Sequence, residues 1–393
     1  MRTTGIEHQQ GETSILLRLT LILMPLVEDA MDESTPWLTA QLQQRFTHRN
    51  GVIADSQVAN ELTWLVALPT FDGWFAALEE ILTMTLGRRL AHAAAESEEW
   101  YWRQDANELP NPWFKKRQKR MAVVNEDWAL RGHGQMQFLN TTDSTDSVLV
   151  AHRSHTSLAA GMANAAWERI EDKRTRFQWS DRGASETIIE AEYDPRNIPA
   201  PSPTSPSWLD AGTATARNDE EVHPMGLARH EADGLWTVEG TRMITLHRDV
   251  LLRFESLALP HVSESARNTD PRTSWTGLND TDTAVLWDAI AEALREQFHA
   301  SGELVLIAEA AHWLHVSAAH LGSAGLGEVV NAESIDELGG VNLDIPVCTH
   351  PALAAGILLG CWERSEGRQG RCDWSCGPEG HKFVLRSRRE VAE

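Results

Sequence analysis

A chain of 393 residues with 42% hydrophobic content can fill two or three cores of ordinary size, which excludes a disordered protein. Its 57 acidic against 35 basic residues give a formal charge of -22, which repels phosphate backbones and anionic lipid and excludes direct nucleic-acid binding or a membrane surface. All four cysteines lie between Cys348 and Cys376, too local for a disulfide framework, so a reduced, cytoplasmic setting with a local metal or thiol role is expected.

Residues 1–44 read as a helical N-terminal arm. Its apolar run at 19–27 is about half a bilayer-spanning length, follows an acidic start and lacks an A-x-A-like site, so it reads as helix or as sequence upstream of a start at Met24 or Met31. A first domain is expected over 45–195, a Pro-rich linker over 196–229 and a second domain over 230–390. The stretch YDPRNIPAPSPTSPSW (193–208) carries prolines that favour extended backbone. The basic run FKKRQKR (114–120) reads as a solvated helix face, and most of the sixteen tryptophans as core.

The two-domain division rests on an internal echo. Sliding the chain against itself by 195 residues aligns His155 with His350 and holds register through Ser180 and Ser375, with twelve of twenty-six positions identical. Small changes of offset extend it to GHGQMQF (132–138) against GLGEVVN (325–331), and to ELTWLVALP (61–69) against LRFESLALP (252–260). In the second copy, GLWTVEGTRMITLH (234–247) reads as a hairpin, and Leu286, Ile290, Leu294 and Phe298 mark a helix. The stretch IAEAAHWLHVSAAHLG (307–322) reads as a further helix. HPALAAGILLGCWER (350–364) follows as a helix whose Ala354, Ala355 and Gly356 permit close backbone approach, and RCDWS with HKFVL as a closing hairpin. The expected fold is α+β: two similar domains, each an antiparallel sheet faced by helices, packed as an intramolecular pseudo-dimer.

The order GLWTVEGTRMITLH, GEVVNAESID, PVCTHPALAAGILLGCWE, RCDWSCGPEGHKF resembles the 4-vinyl reductase (hydrocarbon-binding) domain and the XylR-type sensor domain that precedes it in bacterial regulators of aromatic catabolism. The first copy looks like a degenerate version of that unit. The resemblance implies a structural zinc. Carried over by position, Cys348 and Cys372 match two of the cysteine ligands, His381 stands at the last cysteine's place, and the family's Glu falls on Gln369, with Cys376 available in its stead. Four thiolate or imidazole donors suit tetrahedral zinc, and Cys-x3-Cys in a turn could supply two. The open alternative is ordinary buried cysteines with His381 on the surface; Cys361 reads as core. The first copy has Arg153, Phe177, Asp181 and Glu186 at the corresponding places, which excludes that metal there.

The resemblance also implies a pocket for a small hydrophobic or aromatic molecule anchored by His and Trp. Here the candidates are His312, Trp313 and His315, while the family's sheet Trp falls at Val329 or Val330. In the first copy, Trp100 to Trp102 and Trp113 with Phe114 are candidates for a pocket wall or core cover. No phosphate-loop, nucleophile-elbow, H-E-x-x-H or dinucleotide pattern occurs, and Glu168 and Glu363 of the WER repeats read as solvated, salt-bridged helix ends. Two functions remain. One is a stand-alone binding or sensor protein, as pseudo-dimer or homodimer, acting through a separate protein partner. The other is an accessory or catalytic subunit of a biosynthetic or degradative pathway.

Overall fold

The computed structural model describes residues 34–196, 198–211, 223–262, 270–278 and 280–388. The apolar run at 19–27 lies outside them. Of the N-terminal arm, the described part is helix α1 (Pro36–Arg45), which starts on a proline where a missing N–H costs no hydrogen bond. The first half continues with β1 (Phe46–Arg49), β2 (Val52–Asp55), β3 (Glu61–Ala67), α2 (Leu68–Ile81), α3 (Gly87–Tyr101), α4 (Lys116–Arg131), β4 (Gln135–Thr141), β5 (Thr145–Ala151), α5 (Thr156–Glu171), β6 (Thr175–Asp181) and β7 (Thr187–Tyr193). The second half runs β8 (Arg229–Ala232), β9 (Leu235–Val238), β10 (Thr241–His247), α6 (Arg248–Ala258), β11 (Thr273–Thr276), α7 (Thr281–Ser301), α8 (His312–His320), β12 (Asn331–Ser334), β13 (Val341–Ile345), α9 (Pro351–Glu366), β14 (Gly370–Gly377) and β15 (Gly380–Ser387).

The molecule is α+β. Each half owns an outer sheet with one strand order: β4-β5-β7-β6 in the first, and β12-β13-β15-β14 with β11 added beyond β14 in the second. The β11–β14 pair is parallel, an exception to the otherwise antiparallel pairing. A third, six-stranded sheet, β1-β2-β3-β10-β9-β8, takes three strands from each half.

The seam of that shared sheet is symmetric. Ala67 and His247 are each the last strand residue before a helix; Ala67 faces Met243 and His247 faces Thr63, so the Leu65–Thr245 pair is the midpoint of a local two-fold axis. Each hairpin tip reaches across it. Gly327 donates its N–H to the Gly51 carbonyl (2.8 Å), and Gly134 donates to Gly234 (3.0 Å). At Gly234, φ is +73° and a Cβ would fall on Gly134, so both the turn and the approach require glycine.

Helices α5 and α9 are buried on every side: residues 157–168 and 351–363 are buried throughout, mostly small and apolar, with Glu168 and Glu363 near their ends. Their small-residue stretches let α3 and α7 approach: a Cβ on Gly161 would stand 1.9 Å from the Ala91 carbonyl oxygen, and one on Gly356 2.5 Å from that of Ala291.

Four expectations change. The proposed echo of 61–69 in 252–260 sets a strand, β3, against a helix, α6; the structural counterpart of β3 is β10. Of the 307–322 stretch, only His312–His320 is α-helical. The basic run is not a solvated face throughout, because Arg120 is buried and donates to the Arg169 and Ile170 carbonyls (both 2.9 Å) at the end of α5. The linker docks on the second half: Trp208 is buried, edge-on to Trp287 (5.5 Å) and His350 (5.4 Å), and Ala211 donates to the Pro346 carbonyl (2.8 Å).

Candidate functional site

In the second half, a cavity of about 270 Å³ lies between the 307–310 segment, the start of α8, the β12–β13 connection and the end of α9. Trp313 and Trp362 border it, both buried, together with Ile307, Ala310 and Val341. Its rim is acidic, with Glu309, Asp336, Glu337 and Glu366. Trp362 spends its indole N–H on the Gly339 carbonyl (2.7 Å), leaving an apolar ring. The Arg368 guanidinium lies 5.5 Å from that ring's centroid, a cation–π distance.

The first half shows what this indole can hold. Trp167 occupies the position of Trp362 on α5, and there the ring of Phe138 stacks on it at 5.5 Å with an interplanar angle of 4°. The Arg117 guanidinium sits over both, 4.4 Å from Phe138 and 5.1 Å from Trp167. By strand pairing, Phe138 opposite Val148 corresponds to Ala332 opposite Leu343. The second half thus keeps the tryptophan and a guanidinium but has a methyl group where the first half has a benzyl ring.

The three residues expected to anchor a ligand are separated. Trp313 borders the cavity, whereas His315 is exposed and His312, which does not line the cavity, accepts a hydrogen bond from the Ala308 N–H (3.1 Å). A helix turns roughly 100° per residue, so the face that buries Trp313 cannot also bury both histidines. Of the first-half aromatics, Tyr101 and Trp102 are buried while Trp113 is 99% exposed.

The four residues expected to hold zinc do not surround one point. Cys372 and Cys376 lie four residues apart on the extended strand β14, roughly 13 Å at the usual rise, and a zinc–sulfur bond is about 2.3 Å. Trp374 stands between them and donates its N–H to Nδ1 of His381 (3.3 Å). The other His381 nitrogen, Nε2, donates to Asp210 (3.0 Å), so both ring nitrogens are engaged and the ring is buried. Among the described residues no three His, Cys, Asp or Glu side chains are arranged to hold a metal ion.

What gathers Cys348, Cys376 and His381 is the linker carboxylate Asp210. It accepts from the His381 ring and from the Cys348 N–H (3.2 Å) and pairs with Arg248 (3.1 Å), while the Cys376 thiol donates to the Leu209 carbonyl (3.0 Å). Burial alone would raise the Asp210 carboxyl, but these partners outweigh it and hold it below its usual range. Burial, with the Asp210 charge and the Cys376 sulfur adding to it, pushes the Cys348 thiol well up, so it stays protonated. This polar knot fastens the linker to the second half. No local pattern marks Asp210's part, because the residue sits just past the Pro-rich stretch.

The expectation for the two WER glutamates takes a different physical form. Glu168 and Glu363 are buried rather than solvated; Glu168 pairs with Arg174 (2.7 Å), and Glu363 with Arg272 (2.8 Å) and Arg295 (2.9 Å). A second buried network crosses the seam. Arg45 bridges Asp55 (2.8 Å) and Asp127 (2.7 Å), Arg131 bridges Asp127 and Glu98 (2.8 Å), and His247 of the second half donates to Asp55 (2.9 Å). Burial alone would raise the Asp55 carboxyl, but His247 and Arg45 hold it well below its ordinary value. Each charge in this network has an opposite partner, as a buried ionic cluster requires.

No family model, curated protein or solved structure matches this chain. Among the described residues no helix is long and apolar enough to cross a membrane.

Proposed function

We propose that the protein is a binding protein for a small aromatic molecule, held in the second-half cavity between Trp313 and Trp362, whose occupancy is read by a separate protein partner. The observation that carries this reading is the contrast at one indole: Trp167 is covered by a stacked phenyl ring, and Trp362 borders an open cavity of about 270 Å³. That volume is near the lower end of small-molecule sites, roughly 300 Å³, and suits one or two fused rings. The ligand takes the part that Phe138 plays in the first half. The acidic rim favours a ring carrying an ammonium group over one carrying a carboxylate.

Isothermal titration of the full chain with tryptamine, indole and indole-3-acetate tests this. Saturable one-to-one binding is expected, in the order tryptamine, indole, indole-3-acetate, with loss of all heat in Ala310→Trp, which fills the cavity. Binding of undiminished strength in that variant, with an unchanged circular dichroism spectrum, would place the molecule elsewhere and overturn the reading.

A further inference from the structure

The two outer sheets share one strand order but not one edge. In the second half β14 is covered by β11, which runs parallel to it with Thr273 opposite Cys372 and Trp275 opposite Trp374; Cys372 donates its N–H to the Arg272 carbonyl (2.8 Å). The Trp275 ring packs edge-on against Trp287 (5.1 Å) and tilted against Trp374 (6.0 Å). Asp288 of α7 fixes the added strand, accepting from the Thr273 hydroxyl and from the Trp275 indole N–H (2.8 Å).

In the first half the corresponding strand, β6, is the end of its sheet, and among the described residues no backbone group lies on its outer edge as a hydrogen-bond partner. Five residues, 82–86, join α2 to α3, where the second half spends 22 residues, 259–280, between α6 and α7 and forms β11 within them. A cleft of about 910 Å³ stands at this edge. Its floor is Phe177 and Trp179, stacked at 5.8 Å and both half-buried, with His92 edge-on to Phe177 at 5.6 Å. The contacts of Gly161 with Ala91 and of Gly356 with Ala291 equate the two helix pairs, which places Arg88 where the second half has Asp288. Arg88 is exposed and has no ion-pair partner among the described residues.

We propose that β6 is a docking edge for an extended segment of a partner protein. The segment adds parallel to the strand, with an acidic side chain facing Arg88 and, two residues later, an aromatic ring on Trp179. Strand addition supplies affinity through main-chain hydrogen bonds and specificity through alternate side chains. The uncovered aromatic strand edge is a surface that folded proteins otherwise blunt or cover. The acidic residue follows from charge complementarity, because the helix position that meets the Thr273 hydroxyl, Asp288 in the second half, is Arg88 in the first. The reading is independent of the cavity at Trp362.

The test uses a fluorescein-labelled peptide copying residues 270–278 of this chain and carrying Thr273→Glu, with fluorescence anisotropy against the full chain. At the second-half edge the new carboxylate would face Asp288, which disfavours exchange with β11 there. Saturable binding is expected, weakened at least about tenfold by Trp275→Ala in the peptide and by Arg88→Glu in the protein. The Arg88→Glu protein should recover binding to a Thr273→Lys peptide. Arg88 is on the surface, so its replacement leaves the fold intact. Equal affinity for wild type and Arg88→Glu, or no saturable binding at millimolar protein, overturns the proposal. A dimer of this chain that the peptide dissociates, seen by sedimentation velocity, also overturns it, since the occupant would then be a second copy.

Discussion

His133 sits at the seam between the halves, fully enclosed, with Nε2 donating to the Thr245 carbonyl (3.0 Å) and Nδ1 accepting from the Ser154 hydroxyl (3.1 Å). Burial, reinforced by the nearby Arg131 charge, pushes its pKa well below 6.5 and keeps the ring neutral in the folded chain. The unfolded chain takes up a proton below about pH 6.5 that the folded chain refuses, so unfolding is favoured as pH falls through that value. Thermal unfolding measured from pH 8 to pH 5 should show a falling midpoint, and His133→Gln, whose amide can serve both partners, should show a shallower fall. Identical slopes would contradict the assignment. At this scale the sequence was a partial guide. The resemblance grouped Cys348, Cys376 and His381, although a helix, α9, separates Cys348 from the hairpin that carries the other two. It hid Asp210, because contact between a linker carboxylate and a distant imidazole leaves no periodic trace.

At the scale of elements, the Ala/Gly-rich helices were legible because identical residues recur at one offset and their function is local to the helix face. Gly161 and Gly356 exist for backbone contact, and the tighter of the two is Gly161. Gly161→Val should force α3 from α5 and cost about 3 kcal/mol or more in chemical denaturation, which is at the severe end for overpacking. A loss under about 1 kcal/mol would mean that α3 can shift freely. The misreading upstream has an equally physical cause. A short apolar run ending in A-L-P fits a buried strand and a buried helix alike, so 61–69 and 252–260 look akin although one is β3 and the other forms α6. Strand β11 was missed because four residues, T-S-W-T, carry too little pattern to distinguish a strand from a loop.

For the whole molecule, the α+β class followed from the alternation of helix-period and strand-period segments, but the shared sheet did not. Pairing between β3 and β10 joins residues about 180 positions apart, and local periodicity does not encode partners at that distance. The sharing predicts mutual dependence. Cutting the chain within 212–222 leaves each fragment with half a sheet and a bare strand, β3 or β10, whose buried Leu65, Val66, Ile244 and Leu246 lose cover. Co-expressed fragments 1–211 and 223–393 should elute as a one-to-one complex by size exclusion with light scattering, and either alone should aggregate. A second fragment that stays monomeric with a native far-ultraviolet spectrum would contradict this.

The two-fold seam through Leu65 and Thr245 would serve equally well for two separate half-length chains meeting as equals. A dimer encoded by one short message must write every residue twice, so a ring lost from one indole is lost from both, and a strand added to one edge is added to both. A single chain that carries both halves is released from that constraint. One half can stack a ring on an indole while the other sets a cavity beside it, and one sheet can gain an edge strand while the other ends without it.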